Sequence, residues 1–181
     1  MNIVFVRHTR VNVPPGTCYG FTDVPLADTF EAEAAVTKAR LDILGPCDAA
    51  FTSPLTRARR LADFCGYPDA TLDDRLKELN MGRWEMQRYE DIHDGHIEEW
   101  YRDYLHVSTP GGESFMQQCE RVASFLDELR TGDYRQVVVF AHAGILVAAS
   151  IYAGLYPLEE AWHHITEYGG LLSLQLTSHH T

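Results

Sequence analysis

A single three-layer α/β/α domain with a mostly parallel central sheet is what three features of this 181-residue chain predict. Two apolar runs, Ile3-Val4-Phe5-Val6 and Val137-Val138-Val139-Phe140-Ala141, are short, rich in β-branched residues and free of alternation, the pattern of strands buried on both faces of a parallel sheet. Each run stops at a histidine, His8 or His142, so two parallel strands would bring both imidazoles to one sheet edge. Segments with helical spacing separate the strands, and with no internal repeat, linker or low-complexity tract, residues 1–181 read as one domain.

The first run closes on Arg7 and His8. Ligands of open α/β sheets bind beyond the carboxyl ends of the strands, and a cationic donor beside an imidazole suits an anion, phosphate above all. A plain strand end with two polar residues is the other reading. Val13-Pro14-Pro15-Gly16-Thr17 lacks backbone donors and regularity and must be loop. It runs on through Cys18-Tyr19-Gly20-Phe21-Thr22-Asp23, whose aromatic and polar groups either wall a pocket above Arg7 and His8 or pack on one another. Residues 28–44 read as a helix, with Phe30, Ala34, Ala35, Ala39 and Leu41 near helical spacing, Asp28 or Thr29 as N-cap and Gly45-Pro46 as the stop. Ala49-Ala50-Phe51-Thr52 is a short strand that turns through Ser53-Pro54-Leu55 into another helix. Arg57 falls in that helix's first turn, where free N–H groups and the dipole favour an anion, whereas Arg59 and Arg60 are expected in solvent or in ion pairs.

From Arg75 to Glu85 there is a glycine and a tryptophan but no period, which reads as an irregular loop. Residues 89–104 are polar and aromatic with helical character, and a small cap is expected around residues 83–110. After the turn at Pro110-Gly111-Gly112, the run Phe115 to Leu129 is amphipathic, with Cys119, Val122, Phe125, Leu126 and Leu129 on one stripe. The second histidine strand leads through Ala143-Gly144 into an apolar helix ending near Ala153. Leu171 to Leu176 alternates and reads as a final strand.

Composition narrows the function classes. With 26 acidic and 15 basic residues the net charge is −11, which disfavours nucleic acid and anionic membranes as partners. Any anionic substrate must be held by a few convergent arginines. No signal peptide or membrane-length apolar run is present, and the four cysteines are scattered without metal spacing, so free thiols and a cytoplasmic location are expected. His93-x-x-His96 and His163-His164 lack a matching set of further ligands, so no metal and no cofactor are assigned.

Four segments, taken together and in order, resemble the histidine phosphatase superfamily, also called phosphoglycerate mutase-like. They are Arg7-His8, Ser53-Pro54-Leu55-Thr56-Arg57-Ala58, Leu76 to Glu85, and Val139-Phe140-Ala141-His142-Ala143-Gly144. Tyr19 to Asp23, Trp84-Glu85-Met86, Pro110 to Phe115 and Ala161-Trp162-His163 are most similar to the family's α-ribazole phosphatases, which remove the 5′-phosphate from α-ribazole phosphate in cobalamin nucleotide-loop assembly. The resemblance implies a phosphoglycerate mutase-like fold and a metal-independent phosphomonoesterase with a small-molecule partner; a homodimer stays open. It implies His8 as nucleophile, Glu78 as general acid and base, and Arg7, Arg57 and a protonated His142 around the phosphoryl oxygens. Asn12, Tyr19, Phe21, Thr22, Trp84 and Ala143 are the implied substrate contacts. A broad-specificity sugar-phosphate phosphatase, a phosphoglycerate mutase and an inactive phospholigand-binding module are the alternatives. Thr9-Arg10 replaces the family's usual glycine-glutamate, and Phe30 stands where a glycine is usual.

Overall fold

The structure is a computed structural model and describes residues 1–177. Its centre is a five-stranded sheet in the order β3-β2-β4-β1-β5, formed by β1 (Asn2–Arg7), β2 (Ala49–Thr52), β3 (Thr71–Leu72), β4 (Gln136–Ala141) and β5 (Leu171–Gln175). The first four run parallel and β5 closes the β1 edge antiparallel. Helices α1 (Phe30–Leu44), α2 (Thr56–Phe64), α4 (Phe115–Leu129) and α5 (Ala143–Tyr152) cover the sheet, while the short α3 (His96–Arg102) stands apart.

The two faces follow from strand alternation. Val4, Val6, Val138 and Phe140 pack with Phe30, Ala34, Leu41, Ala58 and Leu61 of α1 and α2. Ile3, Phe5, Val137 and Val139 pack with α4 and α5 through Val122, Phe125, Leu126 and Ile145. Each strand therefore feeds two cores, which is why its sequence shows no alternation. Ser114 caps α4 through a reciprocal bond with Gln117. For α1 the cap is Thr29, but its hydroxyl turns to Glu33 rather than to a backbone N–H.

The segment expected to form a cap has its own small core of Cys18, Met81, Trp84, Ile92 and Ile97, on which Leu79, Tyr89 and Trp100 pack. The loop from Arg75 to Glu85 is two 3₁₀ turns, Asp74–Leu76 and Gly82–Trp84, joined by extended backbone. No helix among the described residues is long and apolar enough to cross a membrane.

Candidate active site

Parallel pairing of β1 with β4 puts Arg7 opposite Ala141, so His8 and His142 leave the sheet side by side, with ring centroids 5.3 Å apart. The ladder continues past the strand ends, since His8 N–H donates to Ala141 O and Ser53 N–H donates to Phe140 O. Backbone hydrogen bonds therefore hold both histidine segments and the start of α2 in register before any side chain acts.

His8 is almost fully buried, and its Nδ1 lies 2.6 Å from Thr9 O. A carbonyl only accepts, so Nδ1 carries the proton and Nε2 keeps its lone pair. Burial, then the Arg57 charge, pull the His8 pKa from 6.5 to about 3, so the ring is neutral at physiological pH. His142 is fully buried and its Nε2 lies 2.8 Å from Ser53 Oγ. Ser53 Oγ accepts from Leu55 N–H, and its own proton can go to His142 Nε2, a pairing that puts the ring proton on Nδ1, which has no protein partner among the described residues. Burial first, and Arg57 second, hold His142 well below the usual histidine range. Burial and the Arg57 charge thus favour a neutral His142 in the unliganded chain, whereas the sequence reading expected it protonated beside a phosphoryl group. The physical reason is that a further buried cation beside Arg57 and Arg7 is disfavoured unless an anion balances it.

Arg57 is fully buried yet makes no ion pair among the described residues; its Nη1 and Nη2 donate to Thr22 O and Gly20 O, and Nε is unpartnered. Burial lowers its pKa, opposed first by Glu78. Arg7 donates from Nη1 to Thr166 O, and its Nε is also buried without a partner. Two guanidinium groups with unused donors beside a histidine whose Nε2 is free make a receptor for a compact anion. Arg59 and Arg60 are exposed, and Arg60 lies over the Phe30 ring.

Glu78 reaches the same place from the irregular loop. Its Oε1 accepts from Leu79 N–H and Gln118 Nε2, and its Oε2 accepts from Gly144 N–H in the first turn of α5. Gly144 has to be glycine for this approach, because a Cβ there would lie 2.3 Å from Glu78 Oε1. Arg121 of α4 fixes the loop behind Glu78 by donating to the carbonyls of Arg75, Lys77 and Glu78 and pairing with Glu113. Ala143, at the start of α5, is half-buried beside this contact.

The expected substrate contacts divide. Tyr19 lies over Arg57 and lines a cavity of about 460 Å³ that opens on Glu78. Trp84 is corrected: it is buried in the cap core with its indole N–H on Asp94, so it supports the fold there and offers a ligand no surface. The Thr22 hydroxyl is likewise engaged, donating to Glu85, whose carboxylate also takes the N–H groups of Gly20 and Phe21 and so fixes the carbonyls that hold Arg57. Phe21 lies beneath Lys77 and Arg121. Asn12 is exposed on its loop, where its backbone donates to Pro25 O. His96 bonds Ser108 O, and no cluster of three or more metal-binding side chains occurs among the described residues. Gln118, Arg121 and Tyr168 were not singled out from the sequence. The legible signal for the first two is a polar pair, Gln118 and Arg121, interrupting the apolar stripe of α4.

A mostly parallel α/β sheet with neutral histidines and arginines lacking ion pairs at its carboxyl edge is an arrangement suited to a phosphate-like anion. The chain belongs to the histidine phosphatase superfamily (branch 1), whose family model matches residues 3–181. It is similar to phosphoserine phosphatase 1 of Hydrogenobacter thermophilus, with 26% identity over 147 residues, covering 77% of this chain and 69% of that one. It is similar to the solved structure of TTHB049 from Thermus thermophilus, with a TM-score of 0.75, 30% identity, and 96% and 92% of the two chains covered. The fold is also that of the α-ribazole phosphatase of Shigella flexneri, with a TM-score of 0.87 at 22% identity over 99% and 96% of the chains. The chain spans between 61% and 69% of the length of three curated relatives it matches.

Proposed function

We propose that this chain is a metal-independent, cytoplasmic phosphomonoesterase that works through a phosphohistidine on His8 and hydrolyses α-ribazole 5′-phosphate. In the first step the lone pair on His8 Nε2 attacks phosphorus as the P–O bond to the leaving group breaks. Arg7, Arg57 and the Nδ1–H of His142 receive the charge on the phosphoryl oxygens. The departing alkoxide takes its proton from Glu78. Because Oε1 is already filled by two donors, Oε2 is the oxygen that carries this proton. In the second step Glu78 removes a proton from water, the oxygen of which displaces His8 from phosphorus.

The observation that carries the choice of substrate is the cavity beside Glu78. Its lining includes the aromatic rings of Tyr19, Tyr89, Trp100, Tyr104, Phe115 and Trp162, and among the described residues Glu78 is its only charged member. A planar, uncharged base fits such walls, as a benzimidazole riboside would. The leaving groups of phosphoserine and phosphoglycerate bear a carboxylate, for which the cavity supplies no basic side chain among the described residues, and burying it unpaired is strongly unfavourable.

The test is phosphate release from α-ribazole 5′-phosphate, ribose 5-phosphate, phosphoserine and 3-phosphoglycerate under identical conditions. The expected kcat/KM for the first exceeds the others by about tenfold or more, the range that apolar pocket contacts supply. Equal values across the four would remove the substrate assignment and leave the chemistry. No release from any of them, with no acid-labile phosphate trapped on the protein, would remove the chemistry as well.

A further inference from the structure

The segment from Thr166 to Gly170 lies across the carboxyl end of β1. Gly169 N–H donates to His8 O, Arg7 N–H donates to Gly170 O, and Arg7 Nη1 donates to Thr166 O. The same segment is tied to α1 by the Thr37 hydroxyl on Gly169 O and by an Arg40–Glu167 ion pair. From it Tyr168 projects its ring over the Arg7 guanidinium, 3.9 Å from Cζ to the ring centroid, with the His8 ring 5.8 Å away. Tyr168 is nonetheless 38% exposed, so hydrophobic burial alone does not account for where it sits.

We propose that Tyr168 is a positioning residue for phosphate capture, acting through Arg7. Its ring covers one face of the guanidinium and keeps water from it. With Nη1 tied to Thr166 O and one face covered, the planar group is restrained, and its buried, unpartnered Nε is an unused donor for an oxygen of the phosphoryl group at His8. The inference rests on the reading of Arg7 as a phosphate ligand. Because it concerns the phosphoryl group and not the leaving group, it predicts an effect that is the same for every substrate.

The experiment measures the inhibition constant of inorganic phosphate and the KM and kcat of two unlike substrates for wild type, Tyr168→Phe and Tyr168→Leu. Removing the ring in Tyr168→Leu is expected to raise the phosphate inhibition constant and both KM values together, by about three- to thirtyfold, the range of a cation–π contact. Tyr168→Phe keeps the ring and is expected to stay within about twofold of wild type. In an Arg7→Ala background, Tyr168→Leu should add nothing further. An unchanged phosphate constant in Tyr168→Leu overturns the proposal, as does a loss in Tyr168→Phe equal to that in Tyr168→Leu, or a full additional loss in the Arg7→Ala background. A wild type that does not bind inorganic phosphate at all would defeat the phosphatase reading itself. Thermal unfolding of Tyr168→Phe and Tyr168→Leu separates loss of fold from loss of binding.

Discussion

Glu78 is held by three N–H donors and carries no ion pair among the described residues, so its task turns on one proton and one oxygen. Replacing it by glutamine keeps the size and removes the transferable proton. Glu78→Gln should therefore lower kcat on alkyl phosphates by about 10²–10⁴, the usual worth of general acid–base catalysis. An aryl phosphate whose phenolate leaves without protonation should lose far less in the first step. Burst kinetics with the aryl substrate are the measurement, and equal losses on both substrates would argue against Glu78 as the acid. His8, His142 and Arg57 were legible at this scale because they sit at strand and helix ends, where polarity changes abruptly along the sequence. The downward pull on the His142 pKa was not legible, since it comes from complete burial and from Arg57, which is remote in the sequence.

Helix α4 links the core to the site. Its Val122, Phe125 and Leu126 are buried under β1 and β4, while Gln118 and Arg121 grip Glu78 and the backbone behind it. The helix can aim Glu78 to within a fraction of an ångström only because its other face is packed. Arg121→Met should reduce kcat on alkyl phosphates by about 10²-fold, the penalty for a misplacement near 1 Å, with little change in KM. The aryl substrate should be spared, which marks Arg121 as acting through Glu78, and Arg121→Lys should recover part of the loss. The range Phe115–Leu129 was readable from spacing because one apolar stripe spans it. The two-residue β3 and the strap from Thr166 to Gly170 were not readable, being too short or too irregular for any period; their positions come from pairing with β2 and with the end of β1.

For the whole molecule, two fully enclosed imidazoles make stability depend on pH. His8 falls from 6.5 to about 3 on folding and His142 falls well below its usual value, in both cases first through burial. Both are lower folded than unfolded, so the unfolded chain binds the extra protons. This contribution is intact above pH 6.5 and is lost as pH drops toward the folded values, by up to about 1.4 kcal/mol per pH unit for each histidine. Urea midpoints between pH 6.5 and 5 should fall steeply for wild type and less steeply for His142→Asn. An unchanged slope in that variant would show that the buried ring titrates freely. Saturating inorganic phosphate should flatten the wild-type curve, because a bound anion favours the charged imidazole.

The position of β1 between β4 and β5 bears on biosynthesis. A ribosome makes β1 well before either of its neighbours, which lie between Gln136 and Gln175. Until those residues emerge, Ile3 to Val6 have no ladder to join and His8 has no second histidine beside it. Phosphate-binding competence should therefore arise late and all at once during synthesis, and a nascent chain stalled before Gln136 would carry His8 without His142 beside it. The uncovered apolar segment Ile3 to Val6 would in that interval be a natural recognition sequence for a chaperone.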